Sequence, residues 1–400
     1  MSELYLYDDA RARQFEPFAH SRPASELRVG ALLMRERWER AFGRPSAGSL
    51  AAPHLADFEE RDAARVVRDG TLPAGSIIAN ARCAPALAGA PDADVWRCDG
   101  HVAAVRLEWP LALEELQEGD RSLETLAAPD ARSAQIGGRW MDDVWHCIRD
   151  LPAQLVDDIT ALGDGAQLLP TGAAARVGEH PVFIEPDATV EPMVIFDVTA
   201  GPVLVRRGAT VQAFTRVVGP CVIGMGSTVG GDRIAASSIG DACKVHGELS
   251  TTIILGHSNK GHDGFVGHSY LGRWVNLGAG TITSNLKNTY GSVPFWTPHG
   301  LRDTGLQFLG TFFGDHAKTG IGMRLTTGSV IGAGANVYGS MMPPKVVAPF
   351  SWGDAPPYTL YRLDRFLETA ERMMHRRGIA LSDRMRAYLS AIHAARWTTE

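Results

Sequence analysis

Cysteine is scarce in this chain. The five present, Cys83, Cys98, Cys147, Cys221 and Cys243, are odd in number and show no CxxC spacing. That excludes a disulfide framework as the organising principle and fits reduced, buried thiols in a cytoplasmic protein. No apolar run approaches the ~20 residues needed to span a bilayer, so no membrane partner is expected. Met1 to Asp9 carry early acids and no basic stretch, which argues against a secretory leader. Neither sign of charge dominates: the formal net charge is -6 over 400 residues. This balance argues against nucleic acid as a partner and leaves anionic small molecules to local Lys and Arg. Hairpin dipeptides set in period-two alternation are also missing, which weighs against a glycine-rich antiparallel β protein.

Glycine is abundant, with 43 residues concentrated after position 200. The same region repeats with a period of six. Ile184 to Thr189 is followed by Val190 to Ile195, and Val205 to Thr210 by Val211 to Thr215. Ile223-Gly-Met-Gly-Ser227-Thr and Ile239-Gly-Asp-Ala-Cys243-Lys continue the series. Phe265, Leu271 and Leu277 lie at steps of six, as do Phe313, Thr319, Leu325, Ile331 and Val337. An aliphatic residue opens most hexads, and a small or β-branched residue often sits four places later. Both can face inward if each hexad is one short strand plus a corner, with three hexads to a coil. Each coil then covers the apolar face of the next. Glycine suits the corners, where φ can turn positive. Ser284 to Phe308 interrupts the rhythm with Asn285, Lys287, Tyr290, Trp296 and His299, an insertion suited to binding groups.

The first part of the chain reads as mixed α/β. Strands are expected at Leu4–Leu6, Ser76–Ile78 and Val102–Val105, and helices at Leu32–Phe42, Leu111–Leu126 and Trp145–Leu162, the last with a kink at Pro152. Gly163 to Gly178 reads as a linker. After Pro343-Pro344 the pattern turns helical, with Leu360, Leu363, Leu367, Ala370 and Met374 as a stripe and Gly378 as a stop. A second helix is expected after Ser382, a good N-cap. These helices are expected to pack on the solenoid or on a neighbouring subunit. The division expected is 1–170, 171–350 and 351–400.

The densest polar segment runs from His257 through Ser258-Asn-Lys260-Gly-His262-Asp-Gly-Phe265 to His268, followed by Asn276-Leu-Gly-Ala-Gly-Thr-Ile-Thr-Ser-Asn285-Leu-Lys287. Here the chain resembles the bifunctional N-acetylglucosamine-1-phosphate uridylyltransferase/glucosamine-1-phosphate acetyltransferase family. It looks most like the divergent branch described as sugar nucleotidyltransferases. Asp8-Asp9, Ser21-Arg22-Pro23 and Leu27-Arg28-Val29-Gly30 extend the resemblance towards the start. It implies an α/β nucleotidyltransferase-like domain, a left-handed parallel β-helix of hexapeptide repeats, C-terminal helices, and a homotrimer. It also implies acetyl-coenzyme A and an amino-sugar phosphate as substrates, on the route to UDP-N-acetylglucosamine, with UTP and Mg²⁺ serving the first domain.

On the family motif His262 falls at the catalytic histidine, Asn276 at a sugar-contacting asparagine, and Asn285 at the asparagine near the acyl group. Phe265 stands where the family usually carries tyrosine. Lys287 replaces a basic residue found slightly later. A neutral imidazole accepts the proton that an ammonium must lose before it attacks a thioester. Asp263 or a backbone carbonyl would orient it, and the Gly278–Gly280 amides would face the oxyanion. Lys260, Lys287 and Arg233 would hold the phosphate, and the coenzyme would lie between subunits near Lys318–Gly334. The bland counterparts are a solvated His262, turn-capping asparagines, a structural His268 and surface lysines. His316 is read as facing water.

The first domain lacks the glycine-rich loop that cradles triphosphate in related enzymes. Arg11, Arg13, Arg22 and Arg28 are the candidate phosphate ligands there, Asp8 or Asp9 the candidate for Mg²⁺, and Asn80-Ala-Arg82 a second binding edge. A remnant that binds nucleotide-sugar or only stabilises the assembly is the alternative to uridylyl transfer. Two other readings stay open. One is a zinc enzyme like γ-type carbonic anhydrases, with His257, His262 and either His246 or His268 as ligands. The other is a non-catalytic solenoid that binds sugar nucleotides.

Overall fold

The computed structural model describes residues 2–163, 166–169 and 174–398. The chain forms two compact units. The first comprises residues 1–27, 32–144 and 363–396; the second, residues 28–31, 145–362 and 397–400. The boundary expected at 170/171 lies outside the described residues.

The first unit is built on a six-stranded mixed sheet in the order Ser133–Gln135, Val95–Cys98, His101–Arg106, Ile77–Asn80, Leu4–Tyr7, Ser46–Leu50. Leu4–Tyr7 runs parallel to both of its neighbours. Its buried run suits a strand covered on both faces. Helix α1 (Met34–Phe42) ends at Gly43, whose φ of 62° allows the left-handed cap. The single helix expected over Leu111–Leu126 is instead a short strand, Leu111–Ala112, and two 3₁₀ turns, Leu113–Leu116 and Leu123–Leu126. Gly119, at φ 79°, breaks the run and accepts from the Ala10 amide at 2.7 Å.

The second unit opens with α2 (His146–Arg149) and α3 (Leu151–Leu162), divided at Asp150. Pro152 sits in the first turn of α3, where its missing N–H costs nothing, so it starts a helix rather than kinking one. A parallel β-solenoid follows, over residues 175–353. Its first face is a ten-stranded sheet, parallel from Val182–Ile184 to Val346–Val347. One inward column on this face reads Ile184, Val205, Ile223, Ile239, Ile254, Leu271, Phe313, Ile331 and Val347. These are the hexad openers, and from Val205 onwards each is fully buried or nearly so. The second face carries Thr189–Val190 through Asn259–Lys260, Lys318–Thr319 and Asn336–Val337. The third carries Ile195–Asp197 through Val266–Gly267, Ile282–Thr283 and Arg324–Leu325. Coils stack so closely that a Cβ on Gly240 would lie 2.3 Å from the Leu255 carbonyl oxygen.

The insertion folds as a hairpin, Pro294–Thr297 with Gly300–Asp303. The solenoid runs on past Pro343-Pro344 to Ser351–Gly353, and Leu360 belongs to a strand rather than the helical stripe. Helices α4 (Leu363–His375) and α5 (Asp383–Ala394) follow, with Ser382 capping the Met385 amide. They belong to the first unit: Tyr388 meets Phe58 edge-on at 5.4 Å and donates to the Ser21 carbonyl.

Candidate active site

The corner between the second and third solenoid faces forms a cleft. His246, Gly261, His262, Asp263, Ala279, Gly280, Ile321, Gly322, Gly339 and Ser340 line it from successive coils, and Arg324 joins from the third face. Its volume is about 960 Å³. His262 is exposed on this cleft. Asp263 lies 3.2 Å from His246 Nδ1, beside the imidazole of the neighbouring coil. The Gly278 and Gly280 amides, expected at the oxyanion, are spent on Thr319 and Asp263 carbonyls at 3.1 and 2.9 Å.

Lys260, expected to hold phosphate, is 2 % exposed and donates to the His246 and His262 carbonyls. It occupies an inward position of the second face, where a phosphate cannot reach it. Asn276 points outward on that face and accepts from Asn259 Nδ2 at 3.2 Å. Asn285 sits at the corner beyond the third face, donating to His268 Nδ1 at 2.8 Å. Burial pulls His268 down to about 4, and its ring stacks on Phe308 at 5.3 Å. The neutral ring thus carries its proton on Nε2. Phe265 and Asn285 both crowd Gly267, where a Cβ would meet them at 2.4 and 2.8 Å. Lys287 Nζ donates to the Ser292 carbonyl within the insertion at 3.1 Å. Arg233 is exposed on the third face.

His262 and Asn285 therefore bracket one face of the solenoid, and Asn276 lies on the next. Within one chain no hydrogen bond joins the three, among the described residues. Sequence reasoning missed Arg324, an exposed cation on the cleft whose outward neighbour is Ile282. The available signal was its place just before an inward leucine in a hexad.

The imidazoles of the zinc reading fall on three different corners. His257 lies against Trp274 with ring centroids 4.5 Å apart and planes tilted, and Arg273 NH1 is 3.2 Å from its Nδ1. His262 and His246 share the cleft corner, and His268 stands at the third. No group of three or more His, Cys, Asp or Glu is gathered as a metal site, among the described residues. His316 does not face water: it is 6 % exposed and stacks near Trp274.

In the first unit, a pocket of about 260 Å³ opens at the carboxyl ends of the parallel strands, the place where open α/β sheets receive ligands. Asp9, Arg11, Asn80, Arg82, His101, Arg121 and Trp140 line it. Arg82 lies 4.6 Å over Trp140 and pairs with Asp9 at 2.8 Å. Asn80 Nδ2 and the Ala12 amide also donate to Asp9, at 2.9 and 2.8 Å. Asp8 is buried, its Oδ2 on the Ala24 amide at 2.8 Å, and burial pushes its carboxyl up to about 7. One acid is thus fully committed and the other is buried with its carboxyl pushed well above the usual range, so the Mg²⁺ implied by the resemblance does not fit them.

Three of the expected phosphate ligands are structural instead. Arg13 donates to the Asp8 and Gln117 carbonyls at 3.0 and 2.6 Å. Arg22 is 1 % exposed and pairs with Glu60. Arg28 is buried in the second unit on the Ala31 carbonyl. Arg11 does reach the pocket, though paired to Asp143. The Asn80-Ala-Arg82 edge lies where the sequence placed it.

Residues 4–167 match the model of a family described as sugar nucleotidyl transferase. A bifunctional sugar-1-phosphate nucleotidylyltransferase/acetyltransferase of Sulfurisphaera tokodaii is 34 % identical over 91 residues, 23 % of this chain and 23 % of that protein. The bifunctional protein GlmU of Desulfitobacterium hafniense is 30 % identical over 189 residues, 40 % of this chain and 38 % of its own. The GlmU of Jannaschia sp. is 33 % identical over 103 residues, 25 % of this chain and 22 % of its own. The chain thus matches well under half the length of these curated relatives. Its resemblance to the bifunctional family stands, with a nucleotidyl transferase domain followed by a parallel β-solenoid.

Proposed function

We propose that the solenoid unit transfers an acetyl group from acetyl-coenzyme A to the amine of an amino-sugar phosphate, glucosamine 1-phosphate by resemblance. The observation that carries this reading is the exposed His262 on a cleft of about 960 Å³, within the Ser258–Phe265 motif. His262 takes a proton from the substrate ammonium. The freed amine attacks the thioester carbonyl, the nitrogen gives its second proton to water, and the resulting oxyanion collapses with loss of coenzyme A thiolate. The thiolate takes up the proton that His262 holds. Such general-base help is worth roughly 10²–10⁴ in rate.

Arg324 is the cleft's exposed cation and suits the phosphate. Asn276 and Asn285 keep the sugar- and acyl-side roles implied by resemblance, and Lys287 keeps its phosphate role. They lie on neighbouring edges, so a facing copy of the chain, in a homotrimer, would complete the site. The first unit is read as a nucleotide or nucleotide-sugar binder at its strand-end pocket, and no transfer step is assigned to it.

Release of coenzyme A is measured with acetyl-coenzyme A and a panel of amino-sugar phosphates, on wild type and His262→Ala. Release by wild type that falls at least about 100-fold in the variant supports the reading. No release with any sugar, or equal release by both proteins, sinks it. A parallel pyrophosphate assay with UTP and Mg²⁺ tests the first unit, and robust release would assign uridylyl transfer to it.

A further inference from the structure

Lys260 breaks a column. The inward residues before it on the second face are Val190, Val211, Val229 and Val245, and Val245 pairs directly with Lys260. Another valine would continue the stack, whereas a lysine brings a charge into an apolar interior at a cost in free energy. Burial pulls its ammonium down to about 8, with Asp263, Asp232 and Glu248 opposing the fall. What the lysine adds lies at its tip.

Nζ is 2.6 Å from the His246 carbonyl oxygen and 2.8 Å from that of His262. These are the two imidazole-bearing residues of the cleft. Both corners are soft. Gly247 follows His246 at φ 81°, and His262 stands between Gly261 and Gly264, the latter at φ 126°. Gly247 also makes room for the tie, since a Cβ there would lie 3.1 Å from Nζ. One ammonium therefore fastens two glycine-flanked turns from beneath, and one of them carries the proposed base.

We propose that Lys260 is a positioning residue: its ammonium holds the main chain of His262 and His246 so that the His262 imidazole stays presented to the cleft. This rests on the acetyl-transfer reading for its kinetic consequence but not for its structural one. A displacement of ~1 Å at a reacting group can cost ~100-fold in rate, so a modest loosening suffices.

The test is Lys260→Met in the full chain, a change that keeps the length of the side chain and suits the column. Amide hydrogen exchange is expected to quicken by about tenfold or more over residues 246–248 and 261–264, with little change elsewhere. Thermal stability is expected to change little, because losing the buried charge offsets losing its two carbonyl hydrogen bonds. The kcat for coenzyme A release is expected to fall about 10- to 100-fold, with KM for both substrates within about twofold. Lys260→Gln, with a shorter donor, is expected to fall between. Unchanged exchange at the two corners overturns the proposal, as does a Met variant that fails to fold. A raised KM at constant kcat would return Lys260 to substrate binding. An inactive wild type would sink the acetyl-transfer reading alone, since the exchange arm needs no activity.

Discussion

Asp8 is a carboxyl that the fold holds in the wrong place for a charge. Its side chain is 2 % exposed, and one oxygen takes the Ala24 amide. Burial raises it from 3.8 to about 7, with Asp9 adding to the rise and Arg13 opposing it. A raised acid binds its proton more tightly in the native state. The native protein therefore loses stability as pH climbs from about 4 towards 7 and is level above. From pH 5 to 8 the native carboxyl gives up its proton across about two pKa units, about 2.7 kcal/mol at 1.36 per unit. Asp8→Asn keeps an acceptor for the Ala24 amide and cannot ionise. Urea unfolding of both proteins at pH 5, 6.5 and 8 should show the variant gaining about 2–3 kcal/mol on wild type across that range. Added Mg²⁺ should shift both alike. A flat difference, or a variant that loses ground as pH rises, would refute the assignment. A Mg²⁺ stabilisation confined to wild type would make Asp8 a metal ligand after all.

Gly240→Ala should destabilise the solenoid by about 2 kcal/mol or more, because the new methyl meets the Leu255 and Ile254 carbonyl oxygens at 2.3 and 2.7 Å. A loss below about 0.5 kcal/mol in thermal or urea unfolding would mean the coils are not so tightly stacked. His268 should stay neutral with its proton on Nε2 from pH 5.5 to 8 in nitrogen-resolved NMR, since burial holds it at about 4 and Asn285 donates to Nδ1. Its contribution to stability should rise with pH from about 4 to 6.5 and then level off. Titration near 6.5 would break the Asn285–His268 pair.

The repeat was legible because its physics is local. A hexad opener such as Ile223 or Ile331 has to face inward in every coil, so its period shows in one dimension. Ser382 as a cap and Leu4–Leu6 as a short strand follow from neighbours in sequence. Leu360 misled because its spacing to Leu363 fits a helix, while the last coil continues the ladder through Ser351–Gly353. Arg22 and Lys260 misled more deeply. A long basic side chain reads as a ligand for phosphate, yet nothing local reveals that Glu60 lies beside one and two carbonyls above the other.

Position on a face comes from chain period alone, and that period set the solenoid, whereas His262 was singled out by resemblance and the Asn80–Arg82 edge by the strand before it. Partners come from residues tens to hundreds of positions away. Only the folded chain could commit Asp9 to Arg82, bring Asp263 beside His246, and set the His246 carbonyl over the Lys260 ammonium. Hydrophobic periodicity is a one-dimensional signal, whereas a hydrogen bond exists only once two distant segments have met.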